Sequence, residues 1–113
     1  MKNLNDREKQ VELVARFLLD EYKLSEYKIE FRWMKNTLGK HFSKSKIITL
    51  STHFINTKGY DRMLNTILHE IAHALTPLHG HDLVWKTMAR KVGAIPRASL
   101  NDALFQSEKE KLK

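Results

Sequence analysis

Four of the chain's six histidines fall between residues 69 and 81, in the stretch ILHEIAHALTPLHGHDLVW, and His69, Glu70 and His73 spell H-E-x-x-H. On a helix, residues four apart stack one turn above each other, so His69 and His73 can reach one ion from the same side. Glu70 is turned about 100° from His69 by the 3.6-residue repeat, which puts its carboxylate beside such an ion. Two imidazoles and a neighbouring carboxylate suit metal-assisted hydrolysis. A zinc lowers the pKa of a bound water towards about 7, and the glutamate takes that water's proton as it attacks a peptide carbonyl. A surface helix can show the same pattern by chance. This helix is strongly apolar, however, and buried polar side chains without partners are costly, so a shared metal is the better explanation.

Two histidines compete to be the third ligand. His79 lies six residues after His73, the metzincin spacing, but the glycine that makes the metzincin turn is Thr76 here, followed by Pro77. His81 stands at the entrance to the next helix, before Asp82 and four residues before Trp85. A ligand there is anchored by a capped helix on one side and a large apolar side chain on the other, which makes it the more rigid choice.

The elements that must position these groups follow from periodicity. Val11, Val14, Phe17 and Leu18 recur at helical spacing between about Asn5 and Lys23, with Asn5 or Asp6 as the cap. Tyr27, Ile29, Phe31 and Trp33 then alternate with Lys28, Glu30 and Arg32, a strand with one buried face. KNTLGK reads as a turn, and KHFSKSKIITLS supplies two further short strands. THFINTKGYD is read as a connection. From Tyr60, the residues Met63, Leu64, Ile67, Leu68, Ile71, Ala72 and Leu75 make a wide apolar surface, so the H-E-x-x-H helix should run through the centre and end before Pro77. A last helix begins at Asp82, carries Leu83, Trp85, Met88, Ala89 and Val92, and closes at Gly93. The expected fold is α+β and zincin-like: an N-terminal helix, a small three-stranded, mostly antiparallel sheet, the H-E-x-x-H helix and a C-terminal helix. Residues 1–96 form the expected domain, and residues 97–113 a polar, flexible tail.

With 113 residues the chain supports one domain, and its lack of cysteine excludes disulfides and thiolate metal sites, leaving histidine and carboxylate as ligands. No run approaches a membrane span and the start resembles no secretory signal, so a cytoplasmic monomer is expected. Twenty basic residues against 13 acidic ones leave a net charge of +7. That excess favours polyanions such as DNA without naming one. Lys86, Arg90 and Lys91 form a basic helix edge whose simplest explanation is a solvated face. His41 and His53 read as ordinary strand or loop residues, Trp85 as core behind the site, and Tyr60 as a conceivable transition-state donor.

TILHEIAHAL, followed by GHDLVWKTMARKVGA and preceded by KIITLS, resembles the SprT-like (Spartan-related) zinc metalloprotease domain over roughly residues 10 to 95. The resemblance implies Zn²⁺ as cofactor, His69, His73 and His81 as its ligands, and Glu70 as the catalytic residue. Asp82 stands where the family often has glycine. It further implies protein substrates, notably proteins crosslinked to DNA, in a minimal bacterial or phage form without the cysteine-rich ribbon of larger members. The rival functions are a nucleic-acid-associated module with a purely structural zinc, and a narrow-specificity regulatory peptidase unrelated to DNA.

Overall fold

A computed structural model describes residues 3–111; residues 1 and 2 of the expected domain and 112 and 113 of the expected tail lie outside it. The chain runs α1 (Asp6–Glu21), β1 (Lys28–Arg32), β2 (Gly39–Phe42), β3 (Ile47–Ser51), α2 (Thr52–Thr57), α3 (Tyr60–Leu75), α4 (Leu83–Val92) and α5 (Asp102–Lys111). The architecture is α+β.

Local chemistry sets the helix ends. Asn5 caps α1 in a reciprocal capping box with Glu8, each side chain accepting from the other residue's backbone N–H. Asp82 caps α4, and Gly93 closes it in the left-handed conformation at φ 93°. Ser51 caps α2, a short helix in the stretch expected as a connection, by accepting from the Phe54 N–H. The α1 face also differs from expectation. Val11, Ala15 and Leu19 are buried while Val14 and Phe17 are exposed, because α1 rests on the core along an i, i+4 row centred on the small Ala15.

The three strands lie in the order β1-β3-β2. β2 and β3 form an antiparallel hairpin, with His41 opposite Ile48, whereas β1 pairs β3 in parallel, with Ile29 opposite Ile48. The sheet is therefore mixed rather than mostly antiparallel. Alternation in β1 reports which face is buried but not which strand it joins, so the parallel pairing was invisible locally. β3 is the central strand, and Ile48, Thr49, Leu50 and Ser51 are all buried. Trp33 lies past the end of β1 and is exposed.

β2 is an edge strand that lies against α3. Gly39 makes this approach possible: a Cβ there would sit 3.1 Å from Thr66 Cγ2 and 3.2 Å from the Thr49 carbonyl oxygen. α3 is the hub of the core, with Met63, Ile67, Ile71 and Ala72 buried along it. The stretch expected as a flexible tail carries α5, where Phe105 is buried beneath the Arg62 guanidinium, 5.1 Å from its ring centroid. Among the described residues no helix is long and apolar enough to cross a membrane.

Candidate active site

His69 and His73 project from successive turns of α3, and the chain returns to them through the α3–α4 connection. Thr76 closes α3 by donating its hydroxyl to the Ala72 carbonyl at 2.7 Å. The turn then passes through Leu78 at φ 71°, a left-handed position filled by a residue other than glycine. At its far end Asp82 does two things. One oxygen accepts from the Trp85 N–H at 3.1 Å, and the other lies 2.7 Å from His79 Nδ1. His79 is thus held against the α4 cap, while His81 turns inward. His81 Nε2 lies 3.1 Å from His69 Nε2 and 3.0 Å from His73 Nε2.

Beneath these rings lies Trp85, fully buried, with its ring 4.6 Å from that of His69, 5.1 Å from that of His73 and 4.7 Å from that of His81. Its indole N–H donates to the His69 carbonyl at 3.4 Å, tying α4 to α3. The core position expected for Trp85 is thus also the floor of the site.

The three imidazoles fit a metal. Their candidate ligand atoms all lie within 4.8 Å of one another. Tetrahedral ligation with metal–nitrogen bonds of about 2.0–2.1 Å sets nitrogens about 3.3 Å apart, close to the spacing found. Burial, reinforced by the neighbouring imidazoles, lowers the pKa of His69 to about 3. Burial and His81 lower that of His73 to about 4, with a hydrogen bond to the His79 backbone pulling the other way. Burial, and then Lys86, lowers that of His81. All three favour the neutral imidazole, the form that donates a lone pair to a metal. Glu70 is buried, and burial pushes its carboxyl up to about 8. Together with His69 it lines a cleft of about 230 Å³, bounded by residues 36–39 on one side and 97–100 on the other.

The structure sorts the remaining candidates. His41, read as an ordinary strand residue, comes to the site from β2: its ring stacks 6.2 Å from that of His73, and its Nε2 lies 2.8 Å from the Tyr27 hydroxyl. The only sequence trace of this was its place on the inward phase of a four-residue strand. His53 instead packs on Trp33 and Phe54. Tyr60 sits nine residues before His69, about 13 Å along the helix, and donates to Gln10 on α1. That position removes it as a transition-state donor. Lys86 and Arg90 line a second cleft with His81 and Arg97.

The fold is similar to that of two solved structures. One is the metallopeptidase zymogen jannalysin of Methanocaldococcus jannaschii, at a TM-score of 0.61 and 16% identity over 96% of this chain and 95% of that one. The other is the metallopeptidase zymogen abylysin of Pyrococcus abyssi, at a TM-score of 0.60 and 21% identity over 92% of this chain and 93% of that one. No curated protein matches the chain. The SprT-like family profile matches residues 7–107, nearly the whole chain. On that match, and with a metallopeptidase fold, the chain belongs to the SprT-like family.

Proposed function

We propose that this protein is a zinc-dependent metallopeptidase in which His69, His73 and His81 hold the metal and Glu70 is the general base. The observation that carries the reading is the convergence of three imidazoles beside the buried Glu70, whose side chain opens onto a cleft. When bound, zinc supplies Lewis acidity, acidifying water and polarising a carbonyl oxygen. Glu70 takes up a proton at its carboxylate as water attacks and passes it to the departing amine. Glu70 opens onto the cleft beside His69, so its carboxylate can receive that proton and return it on the same side. Trp85 holds the three rings in place from below, and His73 is further flanked by His41.

A purely structural zinc is disfavoured by the donor count. Structural sites close the shell with four protein ligands, whereas three histidines beside a cleft leave a position open. Substrate enters as an extended segment along β2, whose outer edge has no strand partner among the described residues, so backbone pairing can register a peptide beside α3. The basic side chains of Lys86 and Arg90, next to His81, favour a second element of the reading: DNA can be held near the site, bringing DNA-bound proteins to it.

The test uses the zinc-loaded protein and an unstructured protein substrate such as casein, with and without DNA. Wild type should cleave. Glu70→Gln should retain zinc and lose roughly 10²–10⁴-fold in turnover, the usual contribution of a positioned general base. Equal turnover in the two proteins removes Glu70 from the chemistry, and no cleavage by zinc-loaded wild type removes the peptidase reading.

A further inference from the structure

One face of α3 carries more than the metal motif. Arg62, Asn65, Thr66, His69 and Glu70 fall at spacings of three, four, seven and eight residues from Arg62, and all line the same cleft of about 230 Å³. Arg62 is only 6% exposed. Its Nη2 donates to the Leu100 carbonyl at 2.6 Å, but Nε and Nη1 are enclosed with no hydrogen-bond partner among the described residues. The nearest carboxylate, Asp102, stays 4.0 Å from Nε, and its other oxygen is taken by Lys58 at 2.7 Å. Packing over Phe105 explains why a flat cation is tolerated there, but it satisfies no N–H. A buried guanidinium with two unpaired nitrogens is a poor structural solution, and at the wall of a cleft its planar fork matches a carboxylate.

The rest of the cleft has the same sign. Arg97 stands in its lining, half-exposed, with its guanidinium on a single oxygen of Glu108 that also serves Lys111. Glu70 is the one acidic residue in the lining. A peptide lying beside α3 therefore meets two arginines in the cleft that Glu70 also lines. Arg62 precedes Glu70 by eight residues, about 12 Å along the axis, the span of three to four residues of extended chain.

We propose that this cleft is a subsite for a substrate carboxylate lying within about four residues of the cleaved bond, with Arg62 as its anchor and Arg97 as its outer contact. This deepens the peptidase reading and rests on it. The carboxylate can belong to an aspartate or glutamate side chain or to the end of a substrate chain.

The experiment uses the full zinc-loaded chain and fluorogenic peptides that are neutral except for one glutamate. The glutamate is walked through four positions on each side of the cleaved bond and also placed further away. Matched peptides carry glutamine, and each peptide is made as the free acid and as the C-terminal amide. The expected result is a kcat/KM at least about tenfold higher for glutamate than glutamine at one near position, on one side only. A gain of free acid over amide, when the end falls within the same distance, assigns chain-end recognition. Arg62→Gln and Arg97→Gln should reduce the preference, read within each variant as the ratio of glutamate to glutamine peptide; Arg62→Lys should restore part of it. Because Arg62→Gln can fail to fold, Arg97→Gln and the wild-type scan carry the test independently.

Binding of the same peptides to zinc-free wild type, followed by fluorescence polarisation, gives a readout separate from activity. Glutamate and glutamine peptides that bind and react alike at every near position, or a preference that extends equally to the distant position, overturns the subsite while leaving the peptidase reading standing. Carboxylate-dependent binding without cleavage of any peptide or of casein supports the subsite and overturns the peptidase.

Discussion

His79 and His81 stand two residues apart on one turn, yet only one of them reaches the other imidazoles. Asp82 accounts for the difference. It caps α4 with one oxygen and pairs His79 with the other, leaving His81 to face His69 and His73. On the proposed ligand set, His81→Ala should lower zinc affinity by more than about 100-fold, since even partners outside the ligand shell contribute 10–100-fold. His79→Ala should leave zinc content unchanged. Metal analysis after dialysis checks both, and loss of zinc in His79→Ala alone would reverse the assignment.

A second residue-scale consequence concerns the zinc-free protein. Burial holds His69 at about 3 and His73 at about 4, below the usual 6.5, so the unfolded chain binds more protons than the folded one between pH 4 and 6.5. Their contribution to stability is complete above about 6.5 and is lost as pH falls. Glu70, raised by burial to about 8, acts with the opposite sign: its contribution is present below the ordinary 4.5 and is lost as pH rises towards 8. Two histidines outweigh one glutamate below pH 6, so the melting temperature of the chelated protein should fall between pH 6.5 and 5. A rise over that interval would contradict the buried neutral imidazoles.

At the scale of elements, the site depends on how closely β2 lies on α3. Gly39→Ala would place a methyl group against Thr66 and the Thr49 carbonyl, pushing the edge strand and His41 away from His73. Overpacking of this kind costs about 1–3 kcal/mol. The expected outcome is a lower denaturation midpoint together with reduced cleavage, read by chemical unfolding and by casein assay. Most elements were legible before the structure. α3 showed its buried helical face, α4 its Asp82 cap and Gly93 stop, and β1 its alternation. Less legible was how they meet. The parallel β1–β3 pairing joins residues such as Ile29 and Ile48, and α1 turns its Ala15 row inward in place of its larger Val14 and Phe17. Both choices depend on a neighbouring surface and not on local pattern.

At the scale of the whole molecule, the net charge is +7, and Lys86, Arg90 and Lys91 share α4 with the Asp82 cap beside His81. If these three residues hold DNA phosphates, affinity should fall roughly 40-fold between 50 and 200 mM salt, the slope for three contacts. Neutralising all three should flatten that dependence, as measured by fluorescence anisotropy on a labelled duplex. Salt-independent binding would rule out an electrostatic interface. α5 belongs to the same scale. Its Phe105 sits under Arg62 and its Glu108 holds Arg97, so the C-terminal helix braces both arginines of the cleft.

What the sequence determined by itself was everything carried by one helix: the 3.6-residue repeat places His69 and His73 on one face with Glu70 beside them, and no partner element is needed to deduce it. The capping chemistry of Asp82 was equally local. The tertiary structure alone decided that His81 and not His79 meets those rings, that Trp85 floors all three, that His41 arrives from β2, and that Arg62 is buried with unpaired nitrogens at the wall of the adjoining cleft. These are contacts between residues on different elements. Their distances are set by how helices and strands pack around a shared core, and periodicity within a single element carries no record of that packing.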